Sequence, residues 1–271
     1  MGDCTSTWAQ AGDDIYGMNS LFAPCMCAVL CLAEPPPQAT GYLYQPAFQL
    51  DHELRGPARP YYPQPGDMFF AADDKLTSVL GFALAGSWYP NHNAIVVPRA
   101  DGTLGALHTH LRQGMVIEDV MEILTRYEEK GRGWVRVRTT PLTPEQAALL
   151  GEFAGNVEGR PTSFAKLWGQ ATPFRSRGPV RTAFLGHSNP DKKGFFCSEL
   201  AVEACCYAGL IDANVARPNC TYPRDMFFNH STNFWVNRSL RDMACGWEPP
   251  ARWTPCMQVG GECPTSVAPV K

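Results

Sequence analysis

The stretch GFFCSELAVEACCYAGL, residues 194–210, holds three cysteines within ten positions. Cys197 stands where a loop-like GFF gives way to a helical pattern. Ser198 and Glu199 then fall in the first turn, where such residues are favoured. A helix start carries partial positive charge from its N–H groups, and this favours the reactive thiolate over the thiol. Cys205 and Cys206 lie two turns further along without that help and read as core thiols. A thiolate nucleophile also needs a base. The chain has six histidines: His52, His92, His108, His110, His187 and His230. His92 opens the strand-like HNAIVV, and His108 lies in LGALHTHL beyond a DGT turn. Adjacent strands can present both rings on one face, and His108 and His110 point the same way because side chains alternate along a strand. The chain therefore supplies a nucleophile, a base and a third group to orient the base. On residue types alone, Cys197 could equally be a metal ligand, a disulfide partner or a small buried side chain.

Several elements must position these residues. PGDMFFAA reads as a turn into a buried strand, in which Asp67 fixes the turn. Residues 75–88, KLTSVLGFALAGSW, have helical spacing, and DGT at 101–103 is a hairpin turn between the two histidine strands. VIEDVMEILTRYEE reads as one amphipathic helix, and GWVRVRTT alternates as a strand. TPEQAALLGEFAGNVEG is a helix capped by Thr143. FFCSELAVEACCYAGL is another, with Gly209 near its end. The proline run EPPPQATGY, residues 34–42, separates an N-terminal segment. The tail beyond CGWEPPARW reads as irregular.

The bulk properties exclude several classes. A net charge of −3, from 23 basic and 26 acidic residues, leaves no electrostatic footprint for nucleic acid. Eleven cysteines include no CxxC pair, so the grid of a structural zinc site is missing. A chain of 271 residues, 45% hydrophobic, does not need disulfide staples, and a reducing compartment is expected over a secreted one. The sequons at Asn219, Asn229 and Asn237 matter only if the chain is secreted. LFAPCMCAVLCLA, residues 21–33, is too short to span a bilayer, and acidic residues before it argue against a signal peptide. MGDCTS fits the formal myristoylation pattern. With Cys4, Cys25, Cys27 and Cys31 it marks the N-terminal segment as a candidate for weak membrane association, though a peripheral, partly buried segment is the favoured reading.

The order QPGDMFF, SWYPNHNAIVV, LGALHTHL, EFAGNVEGRP, GFFCSELAVEACCYAGL, YPRDMFF resembles the circularly permuted papain-fold hydrolases. These are the YiiX-like amidases and the lecithin retinol acyltransferase group, permuted relatives of the NlpC-type peptidases. The resemblance covers roughly residues 63–228, and FFCSEL followed by AGL is its most specific part. It implies that Cys197 is the nucleophile and His92 the general base, then the acid for the leaving group. It also implies that His108 orients His92, with His110 as the alternative third residue. The backbone N–H of Cys197 would contribute to an oxyanion hole. Glu199 reads as a helix-start residue. Two departures stand out: NAI where the family often has a run such as VGI, and His108 where many YiiX-like members carry Glu, Gln or Asn. The second places the chain nearer the acyltransferase branch.

The expected fold is α+β, a permuted papain-like arrangement. An antiparallel sheet or half-barrel packs against the helix that starts at Cys197. The expected layout is an N-terminal proline-rich and apolar extension (1–62), a catalytic domain (63–230) and an irregular C-terminal extension (231–271). The expected chemistry is hydrolysis or acyl transfer on a peptide, amide or lipid-ester substrate through a thioester acyl-enzyme. No cofactor and no metal are expected. Two competing readings are a metal-dependent enzyme built on the HTH of residues 108–110, and a catalytically inactive papain-like protein serving a structural or interaction role. The sequence has no G-x-S-x-G elbow, which disfavours a serine hydrolase.

Overall fold

The computed structural model describes residues 39–44, 58–72, 82–83, 87–129, 133–163, 175 and 178–256. The chain divides into two compact units, residues 1–36 and 37–271, and every described residue belongs to the second. The N-terminal segment with its lipidation pattern and His52 lie outside the described residues. So does most of the helix expected over 75–88. Among the described residues, no helix is long and apolar enough to cross a membrane.

Eight strands form one open antiparallel sheet: β1 (Gly41–Tyr44), β2 (Arg59–Tyr61), β3 (Met68–Ala71), β4 (His92–Pro98), β5 (Leu104–His110), β6 (Gly114–Asp119), β7 (Gly133–Arg136) and β8 (Ala251–Thr254). Their order across the sheet is β2-β1-β8-β7-β3-β4-β5-β6. The described helices, numbered here in chain order, are α1 (Val120–Glu129), α2 (Pro144–Val157), α3 (Pro179–Phe184), α4 (Cys197–Tyr207), α5 (Pro223–Phe228) and α6 (Val236–Gly246). This is the mixed α+β architecture with an antiparallel sheet that the sequence implies.

The sheet takes in residues on both sides of 63–230. β1 and β2 come from before it and β8 from after it, paired as Leu43 with both Arg59 and Trp253. Residues 236–246 are helical and 251–254 are a strand, where the sequence reads as irregular. The proline-flanked ARWT is short, and it becomes a strand because β1 and β7 bond to it on either side.

A second difference concerns VIEDVMEILTRYEE. Val116–Asp119 extend β6, with Val116 opposite His108 and Ile117 opposite Leu107, and the helix begins only at Val120. The β-branched pair Val116-Ile117 suits a strand. Asp119 then ends it: its carboxylate accepts from the amides of Met121 (2.7 Å) and Glu122 (3.1 Å), capping α1.

Other local readings hold for local reasons. Thr143 and Gln146 form a reciprocal capping box at the start of α2. Gly102 takes φ +82° in the turn between β4 and β5, and Gly209 takes φ +67° just past α4. Asp67 is fully buried. It accepts from Gln64 N (3.1 Å), Arg138 N (2.8 Å) and the Tyr61 hydroxyl (2.8 Å), which ties the turn before β3 to the segment after β7.

The sheet has a core on each face. Ile95, Val97 and Leu107 face α2 and α4 with Leu150, Phe153, Leu200 and Ala204. Ala94, Val96 and Ala106 face α1 with Val120, Ile123, Leu124 and Tyr127. Strand alternation puts His92 and His108 on the α1 face, in line with Ala94 and Ala106. Cys197 arrives on a helix from the other face.

Candidate active site

α4 starts at Cys197. The helix ladder opens with Leu200 N donating to Phe196 O at 2.8 Å, so the Cys197 amide belongs to the first turn. Glu199 reaches back to the Phe196 amide (3.3 Å) and is held by the Lys192 ammonium and by Asn219 Nδ2 (2.6 Å). Asn219 in turn accepts from Arg181 Nε (2.5 Å). Glu199 thus caps and anchors the helix start. Asn219 is buried, with both ends of its amide engaged, and Asn229 Oδ1 accepts from Arg136. Of the three sequon asparagines, Asn219 therefore has no free amide for a glycan.

Cys197 is only 3% exposed and packs with Phe82, Phe196 and Tyr222. Its sulfur lies 4.0 Å from the carbonyl oxygen of Asn91, the residue immediately before His92. The loop that delivers His92 is held at two points: Arg224 Nη1 donates to Tyr89 O (2.8 Å), and Asn91 N donates to Ala71 O (3.1 Å). The Cys197 sulfur therefore lies beside the backbone that leads into β4.

Beside them, the rings of His92 and His108 stand edge to face, centroids 5.6 Å apart and planes at 85°. His108 Nε2 lies 3.4 Å from Glu118 Oε2, an ion-pair distance without hydrogen-bond alignment. The same Glu118 oxygen pairs with Arg126 Nη1 at 2.8 Å. Of the two candidate third residues, His108 is the one beside His92. His110 instead closes the turn after β5, where its Nδ1 accepts from Arg112 N (3.4 Å) and Gln113 N (3.3 Å).

Burial holds the His108 ring below the usual histidine value, partly offset by Glu118. His108 is thus neutral at pH 7, the form that can both donate and accept. The unfolded chain binds that proton near 6.5 and the folded chain only at lower pH. Stability from this group is therefore fully present above about 6.5 and is lost as pH falls. Glu118→Gln removes the influence that raises the ring. The expected result is a His108 midpoint lower than in the parent, read by magnetic resonance titration of its ring protons. An unchanged midpoint would show that Glu118 is not electrostatically coupled to it.

The other helix cysteines differ from Cys197 in kind. Burial pushes the Cys205 thiol up to about 12, and Cys206 also upward. Both are inert packing groups in the core under α4. Cys220 is buried too and Cys245 exposed, and none of these four, nor Cys197, is in a disulfide; Cys256 is disulfide-bonded, against the expectation that the chain carries no such staple. Among the described residues, no group of three or more His, Cys, Asp or Glu side chains is arranged to hold a metal ion.

Sequence reasoning missed three neighbours of this cluster: Glu118, Asn91 and Tyr127. Glu118 sits two positions from the residue opposite His108, on the same face of β6. It would have been found had residues 116–119 been read as a strand. Tyr127 belongs to the inward stripe of α1, where an aromatic ring reads as core. Its ring stands edge-on to His92, centroids 6.0 Å apart.

No protein-family model and no curated protein matches the chain. Among solved structures, the chain is similar to the metalloprotein YiiX from Escherichia coli O157:H7, at 22% sequence identity and a TM-score of 0.38. The match covers 54% of this chain and 66% of that protein, just under two thirds of its length.

Proposed function

We propose that this protein is a papain-like cysteine hydrolase or acyltransferase of the permuted type, acting on an amide, peptide or ester through a thioester on Cys197. One observation carries the reading: the sulfur at the start of α4 lies 4.0 Å from the carbonyl of the residue preceding His92, and His92 is backed by His108. In this mechanism His92 takes the thiol proton as the sulfur attacks the acyl carbon, and later passes it to the leaving group. His108 holds the His92 ring from the side, with Glu118 behind it. The first-turn amide of Cys197 faces the developing oxyanion. The FFCSEL motif and the order of the histidine strands support the same assignment.

The reading is tested by chemical labelling of the native chain. Iodoacetamide at limiting concentration is expected to modify Cys197 ahead of Cys205, Cys206, Cys220 and Cys245, read by peptide mass spectrometry. The labelling rate should collapse in His92→Ala. Uniform modification across the exposed thiols, with Cys197 no faster than Cys245, would favour an inactive scaffold.

A further inference from the structure

The site contains a polar group to which the mechanism so far gives no task. Tyr127 lies in the last turn of α1 with its side chain 6% exposed. Its hydroxyl is buried and has no hydrogen-bond partner among the described residues. Leaving a buried hydroxyl unpaired is costly, and groups of this kind persist where a ligand supplies the partner. Its ring meets His92 at 85° and shares the α1 face of the sheet with His108. Burial pushes the phenol upward, and the charge of a Cys197 thiolate pushes it further. Geometry brings the two to the same corner: the Tyr127 ring meets His92, and the Cys197 sulfur lies 4.0 Å from the carbonyl oxygen of Asn91, the residue before His92.

We propose that the Tyr127 hydroxyl donates a hydrogen bond to the acyl oxygen of the adduct formed on Cys197, making it the side-chain member of the oxyanion hole beside the Cys197 amide. This rests on the reading of Cys197 as the acylated nucleophile. As the sulfur–carbon bond forms, the carbonyl π pair moves onto oxygen and the thiol proton goes to His92. Tyr127 lends its hydrogen to that oxygen without transferring it. On collapse the oxygen pair re-forms the carbonyl, the bond to the leaving group breaks with its electron pair, and His92 returns the proton.

The test compares the parent, Tyr127→Phe and Cys197→Ala with two reagents. p-Nitrophenyl acetate forms an oxyanion on attack. Iodoacetamide is displaced at a saturated carbon and forms none. Tyr127→Phe is expected to slow p-nitrophenolate release about 100-fold or more. It should leave the rate of Cys197 alkylation and its pH profile within about twofold of the parent, since no oxyanion arises there. Release within about threefold of the parent would overturn the proposal. So would a parallel loss of alkylation, which would make Tyr127 a positioning residue for the thiolate. The hydroxyl has no partner to lose among the described residues, so the variant's thermal midpoint should equal or exceed the parent's, and a clear drop would reveal a structural partner and also overturn it. If Cys197→Ala releases p-nitrophenolate as fast as the parent, the nucleophile assignment itself fails and this proposal fails with it.

Discussion

Cys197→Ala and His92→Ala are each expected to cut turnover by about 10⁴-fold or more while the protein remains folded, the scale seen when a member of a nucleophile–base pair is removed. Alanine suits the first turn of α4, and losing one sulfur from the small cluster of Phe82, Phe196 and Tyr222 leaves only a minor void. His92 is the first residue of β4, held by backbone bonds at Asn91 and Tyr89 that do not involve its ring. Circular dichroism and thermal melting should therefore place both variants close to the parent. The double variant should be no worse than the worse single one, because the two side chains act as a unit. His108→Ala should keep measurable activity, since orienting a base contributes less than being the base. Full turnover by Cys197→Ala on any substrate the parent processes would end the thiol mechanism.

The second large effect is on stability. Arg136, at the end of β7, is fully buried and donates to five acceptors. Its Nε bonds Glu248 O (2.9 Å), its Nη1 bonds Met226 O (2.5 Å) and Asn229 Oδ1 (2.6 Å), and its Nη2 bonds Met243 O (3.3 Å) and Trp247 O (3.2 Å). Four of these are backbone carbonyls at or just beyond the C-terminal ends of α5 and α6, where helix dipoles concentrate negative charge. Burial lowers the guanidinium to about 10, which still leaves it charged at neutral pH. Arg136→Leu strands these carbonyls in the interior, and a loss of about 3–5 kcal/mol is expected from urea unfolding. That is a large share of the roughly 5–15 kcal/mol that holds a typical domain folded. Arg136→Lys should recover little, because one ammonium cannot span acceptors arranged for a planar fork. A loss below about 1 kcal/mol would mean that these bonds are exchanged for solvent without penalty. The site would feel the same loss, because α5 carries Arg224, which fixes the loop before His92.

The parts of this arrangement legible in the sequence are those set by near neighbours along the chain. The Thr143 capping box, the helix beginning at Cys197 and the two histidine strands around DGT each depend on residues within a few positions. What escaped depends on distant pairing. ARWT at 251–254 has nothing in its four residues to announce a strand buried between two others, since its partners lie at 42–44 and 134–135. Val116–Asp119 could extend the helix of residues 120–129 by spacing, and it is pairing with the distant Gly105, Ala106, Leu107 and His108 that holds them in a strand. Of the cluster itself, Cys197, His92 and His108 are visible by residue type. Tyr127 was hidden because its ring satisfies the apolar stripe of α1, and nothing in the spacing shows that its hydroxyl is left without a partner among the described residues.

The position of β8 bears on how the molecule is made. Among the described strands, β1 and β2 are joined to the rest of the sheet only through β8, and β8 is the last of them in chain order. As the polypeptide leaves the ribosome, β1 and β2 emerge well before β8, the strand they dock on. β7 meanwhile presents a bare row of N–H and C=O groups on one side. The sheet can close only when residues 251–254 are released. Translation therefore leaves a long interval in which that unsatisfied border is open to chaperones or to a neighbouring nascent copy.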